Sequence, residues 1–129
     1  MNQGPILVDT DILIDFLRDR REAVLWVAGL AGDVHLSTMT IAELYAGVRD
    51  GRERETLTAF LGLFKTVPID DRIARQGGLL RRDWGKSHGA GLADCLIAAS
   101  ALSLDATLAT LNRKHFPMLE RLLVPYEKA

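Results

Sequence analysis

Apolar residues fall along the chain in short blocks separated by polar turns, and the blocks keep two rhythms. Ile6, Leu7 and Val8 make a compact apolar run that predicts a buried strand. Leu13, Phe16 and Leu17 follow at helical spacing and predict a helix that fades in the charged run from Arg18 to Glu22. AVLWVAGLAG predicts a second helix, closed by Gly29 or Gly32, and VHLS (Val34 to Ser37) a second strand. TIAELYAGVRDG predicts a helix ending near Gly51. ETLTAFLGLF predicts another, with Arg52 to Glu55 as its charged approach. TVPID reads as a strand, and Pro68 places it at a sheet edge. DRIARQGGLLRRDWG is helical apart from its glycines. LADCLIAASALSL is a helix, apolar or small almost all round. ATLAT and RLLVPY are the last two strand candidates.

Strands therefore alternate with helices throughout. That order predicts an α/β fold: a mainly parallel sheet of four or five strands, flanked by helices and joined by right-handed crossovers. In open sheets of this kind the ligand site lies beyond the carboxyl ends of the strands. Functional residues are expected just after strands, and Asp9 stands there.

At 129 residues the chain is expected to form one domain, residues 1–129, with its own core. The net charge of −1 excludes binding to nucleic acid by bulk charge alone. The single cysteine, Cys95, cannot form an internal disulfide, so a reducing cytoplasm is the expected setting. No basic stretch leads into an apolar signal core, and no apolar run is long enough to span a bilayer, so no membrane role is expected.

Against this background four polar positions stand out. Asp9 follows Val8 and precedes a helix; taken alone, an N-cap is its simpler reading. Asp11 and Asp15 share one helix face, which reads as solvated, although Asp11 in the first turn can also reach a strand-end site. In TIAELYAGV, the side opposite Ile41, Leu44, Tyr45 and Val48 carries Ala42, Ala46 and Gly47 with Glu43 among them. That reads as a second packed face with one carboxylate in it. Thr40 and Glu43 equally fit a capping box. Asp94 is the only charged residue between Gly89 and Leu104. A carboxylate on so apolar a helix needs a hydrogen-bond partner, a cation or a shifted pKa. Asn112 follows the strand ATLAT, with Thr110 two residues before it. Alone it reads as a turn residue.

Taken together, oxygen ligands delivered at strand ends and on apolar helices point to a hard divalent cation, Mg²⁺ or Mn²⁺. Two such ions about 3.5–4 Å apart can activate water and stabilise the leaving oxygen of a phosphodiester. Other chemistries find little support. His35, His88 and His115 lack zinc-like spacing, and there is no Walker-type or dinucleotide glycine motif and no serine nucleophile elbow. The arginine-rich stretches read mainly as solvated helix faces, with Arg81, Arg82, Arg113 and Lys114 as candidate phosphate contacts.

LVDTDILIDFL, STMTIAELYAGV, HGAGLADCLIAASAL and LATLNRKHF resemble, in order and separation, the successive motifs of PIN-domain ribonucleases, in particular VapC-type toxins of bacterial toxin–antitoxin pairs. The resemblance implies a PIN-like three-layer α/β/α domain and Asp9, Glu43 and Asp94 as metal-binding catalytic acids. Asp9 and Asp94 would be the main ligands. The fourth family position, often Asp, falls on Asn112, which offers a neutral oxygen, so a second ion would be held weakly or only with RNA. Thr110 and Asp11 match secondary positions. The resemblance further implies a metal-dependent endoribonuclease that inhibits translation and growth, a cognate VapB-type antitoxin in the active-site groove, and a homodimer.

Rival readings rest on single features. Asp9-Thr10-Asp11 has the Asp-x-Asp form of a haloacid-dehalogenase-like phosphatase, but Ile12 and Leu13 follow where that motif wants Thr or Val. Asp70 and Asp71 near a strand end would suit a receiver-like signalling domain, which also needs a lysine after its last strand. A PIN-like module with too few charged ligands would bind without cutting.

Overall fold

The computed structural model describes residues 4–127. Its five strands are β1 (Ile6–Val8), β2 (Val34–Ser37), β3 (Lys65–Val67), β4 (Thr107–Ala109) and β5 (Leu122–Leu123). All pairings are parallel, in the order β3-β2-β1-β4-β5. Leu7 is registered against His35 on one side and Leu108 on the other. The strand carrying the TVPID motif is at an edge, with Pro68 just past its end, where the missing N–H interrupts no ladder.

Alternation along the strands divides the core in two. Val8 and Ala109 face one cluster with Ile12, Leu13, Leu36, Leu44 and Leu57. Leu7 and Leu108 face the other, with Ile73, Ile97 and Phe116. Helices α1 (Thr10–Leu17), α2 (Arg21–Ala28), α3 (Thr38–Ala46) and α4 (Arg52–Leu61) cover the first face. Helices α5 (Asp71–His88) and α6 (Leu92–Leu104) cover the second. The result is the expected three-layer α/β/α arrangement. A sheet covered on both faces explains strands that read as unbroken apolar runs. Each fully buried leucine in it contributes about 1.5–3 kcal/mol.

Several boundaries differ from the sequence reading. The charged run after α1 holds a left-handed turn at Asp19 (φ 59°), and α2 begins at Arg21. Helix α3 ends at Ala46, not near Gly51; Val48 still packs on the core from the following loop, so apolar spacing continued past the helix. Arg52 to Glu55 are the first turn of α4, where Glu53 and Glu55 complement the helix dipole. Helix α5 runs unbroken through Gly77, Gly78 and Gly85. Asp15 is not solvated: it is 5% exposed and accepts a hydrogen bond from the Tyr126 hydroxyl at 2.9 Å. Arg20 Nε lies 3.9 Å from the same carboxylate.

Gly77 is where α5 meets α6. A Cβ there would lie 2.6 Å from Leu96 Cδ2 and 3.2 Å from Leu96 Cα, whereas one on Gly78 would meet open space. At Gly77, overpacking of about 1–3 kcal/mol should outweigh a helix-propensity gain of about 1 kcal/mol. Gly77→Ala should therefore lower the melting temperature by a few degrees, and Gly78→Ala should raise it through a gain of about 0.5–1 kcal/mol. Thermal melts of the two variants check this; equal shifts would contradict the close approach at Gly77.

Candidate active site

Strand β1 is the hinge of the topology. The chain leaves it through α1 toward β2, and later returns from α6 to place β4 on its other side. The carboxyl ends of β1 and β4 therefore border a switch point, where a crevice opens in sheets of this class. Asp9 and Thr110 are the first residues past these two strands, and they meet. Thr110 Oγ1 donates to Asp9 Oδ2 at 2.7 Å. The Asp9 amide donates to the Ala109 carbonyl at 2.9 Å. Asp9 Oδ1 accepts from the Thr10 amide at 2.8 Å, so Asp9 is also the N-cap of α1. The structural and the site reading of Asp9 are compatible.

Asp9 is 6% exposed. Burial pushes its pKa from 3.8 to about 7; the charges of Asp11 and, more weakly, Asp94 add to the rise, while hydrogen bonds from Thr110 and Thr10 oppose it. The segment TLN serves this corner residue by residue. The Leu111 amide donates to Asp11 Oδ2 at 3.0 Å, tying α1 to the loop after β4. The Asn112 amide donates to Thr110 Oγ1 at 3.0 Å, leaving that hydroxyl's own proton for Asp9.

Glu43 arrives on α3. The strand β2 passes into this helix without a loop, and Ser37, not Thr40, is the N-cap, accepting from the Met39 amide at 3.1 Å. The Thr40–Glu43 capping box is therefore not formed. Glu43 Oε1 instead takes the proton of Thr10 Oγ1 at 2.8 Å. The buried Thr40 hydroxyl stands 2.9 Å from the same oxygen. Thr10 has one hydroxyl proton, so with Glu43 as its acceptor Thr40 is left to donate to Thr10. The small residues around Glu43 are not a packed face. Ala42, Ala46 and Gly47 are exposed, and Gly47 borders a cavity of about 690 Å³ that Leu17, Glu43, Val48 and Leu57 help to line.

Asp94 lies in the first turn of α6, whose residues from Ile97 to Ala101 are all buried. Its Oδ2 accepts from the Gly91 amide at 3.3 Å and lies 3.1 Å from His115 Nδ1. Asn112 Nδ2 lies 2.7 Å from that same ring nitrogen. One nitrogen cannot donate to Asp94 and accept from Asn112 at once, so the ring's protonation decides which neighbour it serves. Thr10, Thr40 and His115 are the residues that the sequence reading missed. Thr10 carried no local signal, Thr40 was read only as a helix cap, and His115 was judged only by zinc spacing.

Among the described residues no lysine or arginine pairs with Asp9, Glu43 or Asp94. Nor do three His, Cys, Asp or Glu side chains among them stand close enough together to enclose a metal ion. Each acid is held singly, Asp9 and Glu43 by threonine hydroxyls and Asp94 by an amide and a histidine. The donor set fits a hard cation by its chemistry: carboxylate oxygens, one of them on a buried acid with a raised pKa, and no lysine or arginine among the described residues to neutralise them. The candidate phosphate contacts are all exposed. Arg82 Nε is engaged by Asp83 at 2.9 Å, and Arg113 and Lys114 sit on the short 3₁₀ turn directly after Asn112. Asp70 caps α5 and Asp71 pairs with Arg75 at 3.1 Å, so the acids of the receiver-like reading have structural work. No helix among the described residues is long and apolar enough to cross a membrane.

Comparison with known proteins agrees with this architecture. The PIN domain family matches residues 6–121. Ribonuclease VapC10 of Mycobacterium tuberculosis is 41% identical over 124 residues, covering 94% of this chain and 92% of the relative. A toxin–antitoxin complex from Klebsiella pneumoniae superposes with a TM-score of 0.82 at 28% identity, over 95% of this chain and 99% of that one. FitAcB from Neisseria gonorrhoeae superposes with a TM-score of 0.74 at 30% identity, over 93% and 97%. These matches displace the phosphatase and receiver-like readings, and the chain belongs to the PIN-domain family.

Proposed function

We propose that this protein is an endoribonuclease toxin of the VapC type, hydrolysing RNA phosphodiester bonds with Mg²⁺ or Mn²⁺ and neutralised by a cognate VapB-type antitoxin. The observation that carries the reading is the buried Asp9 carboxylate at the β1–β4 switch point, in the field of Asp11 and Asp94 and without a basic partner among the described residues. Ribonuclease VapC10 and the toxin–antitoxin complexes support the substrate and the partner.

Asp9, Glu43 and Asp94 would hold the cation, with Asn112 and Asp11 as secondary oxygen donors. The bound cation supplies Lewis acidity toward the phosphodiester and brings the pKa of water within reach of neutral pH. The chain's own residues set the stage for that chemistry. Thr110 and the Thr10 amide fix both oxygens of Asp9. The Thr10 hydroxyl aims Glu43 from a separate helix, where it can orient or deprotonate an attacking water. Asp94, on the rim, is half exposed and open to substrate. Arg113 and Lys114, directly after Asn112, and Arg81 and Arg82 on α5 would contact RNA phosphates. The cavity of about 690 Å³ beside Glu43, lined also by Leu17, Val48 and Leu57, would receive an apolar segment of the antitoxin.

The test is cleavage of total cellular RNA by antitoxin-free protein, with Mg²⁺ or Mn²⁺ against EDTA. Discrete metal-dependent fragments are expected, and Asp9→Asn and Asp94→Asn should each cut activity by more than about 100-fold, beyond the cost of losing an outer partner of a ligand. Asn at 94 keeps an acceptor for the Gly91 amide, so that variant should stay folded by circular dichroism. Undiminished cleavage in both variants would remove these acids from the mechanism.

Asp9 also makes a pH prediction for the metal-free protein. Its folded pKa of about 7 stands above the ordinary 3.8. Between these values the folded state keeps a proton that the unfolded state has lost, so this residue's contribution to stability falls as pH rises from about 4 to 7. Asp9→Asn, neutral throughout, should gain melting temperature relative to the parent across that window in EDTA. Added Mg²⁺ should stabilise the parent and not the variant. A temperature difference independent of pH would show that Asp9 is not strained by its charge.

A further inference from the structure

Helix α5 carries another buried glycine whose reason differs from that of Gly77. A Cβ on Gly85 would lie 1.6 Å from Arg81 Nη1, 2.6 Å from its Cζ and 3.1 Å from its Nε. The guanidinium of Arg81 thus occupies the space that a side chain at position 85 would fill. The other α5 arginines with defined partners are spoken for, Arg75 by Asp71 at 3.1 Å and Arg82 by Asp83 at 2.9 Å. Arg81 has no carboxylate partner among the described residues. Its guanidinium lies over Gly85 near the carboxyl end of the helix, where the dipole favours a cation.

Gly85 lies at the active-site end of the α5–α6 pair. The Gly85 carbonyl accepts the amide of Gly89, which caps α5 in the left-handed region, and Gly91 then caps α6 three residues before Asp94. Burial pushes the thiol of Cys95, the neighbour of Asp94, up, and Asp94 adds to the rise while Arg81 opposes it. A guanidinium offers a fork of donors matched to phosphate oxygens, and one already seated loses less freedom when it binds.

We propose that Gly85 is a seat that holds the Arg81 guanidinium ready for an RNA phosphate at the Asp94 end of the site, with Arg81 as the phosphate ligand and Gly85 as a positioning residue. The proposal rests on the ribonuclease reading and selects Arg81 from among the four basic candidates.

Gly85→Ala tests it, because the methyl displaces only the end of a flexible side chain and alanine favours the helix. KM for RNA should rise roughly tenfold, the scale of one charge-assisted hydrogen-bonded contact, with kcat held and the melting temperature not lowered. Arg81→Ala should match it, and the double variant should be no worse than Arg81→Ala alone. In both single variants the slope of log affinity for RNA against log salt should fall by about 0.7, one phosphate contact on a single strand. Parent-like KM in Gly85→Ala, or an effect that adds in full to Arg81→Ala, would overturn the seat while leaving the nuclease standing. A parent protein that cuts no RNA with either metal would reject the nuclease reading and this proposal together.

Discussion

The hydrogen bond from Thr110 to Asp9 is the contact on which the site depends. A carboxylate at the end of a central, doubly covered strand is removed from water, and it needs partners if it is to remain there as an anion. The neighbouring strand supplies one through Thr110, and the first turn of α1 supplies the other through the Thr10 amide. The same carboxylate thus starts a helix, closes the β1–β4 junction and carries unsettled negative charge at the mouth of the sheet. The proposed cation site would draw on that combination of rigid placement and incomplete neutralisation.

Threonine is the recurring device around it. Thr110 holds Asp9, Thr10 holds Glu43, and Thr40 buttresses Thr10 from the helix that carries Glu43. A hydroxyl donates to an acid without cancelling its charge, as a lysine or arginine would. The acids are fixed in direction and left available to an external cation. Asp11 plays a different part, joining α1 to the loop after β4 through the Leu111 amide.

Much of this was legible in the sequence. The rhythm of apolar blocks located the five strands and the mainly parallel sheet, and the family resemblance implied the three-layer order. Acids embedded in apolar surroundings pointed to Asp9, Glu43 and Asp94, because unpaired charge is hard to hide. What escaped were relations between distant residues. Asp15 looked like the solvated partner of Asp11 because Tyr126 lies 111 positions away. Glu43 looked like the end of a capping box because Ser37, Thr38 and Thr40 can each start a helix on local grounds, and only the direct passage from β2 into α3 chooses Ser37. The alanines beside Glu43 suggested a packed face and instead line open surface, since small size alone does not say what lies opposite. The glycines of α5 looked like breaks, yet Gly77 admits a neighbouring helix and Gly85 a side chain of its own helix.

The spacing along the chain has a consequence for the order of synthesis. The hydroxyl that steadies Asp9 is made 101 residues after it, and the phenol that meets Asp15 comes 111 residues after its partner. A growing chain therefore has the first acid long before it has a site. The Asp9 corner can close only when the fourth strand has emerged from the ribosome and inserted beside the first. An interrupted product that stops before that strand carries Asp9 and Asp11 without the Thr110 hydroxyl and the Leu111 amide that fix them.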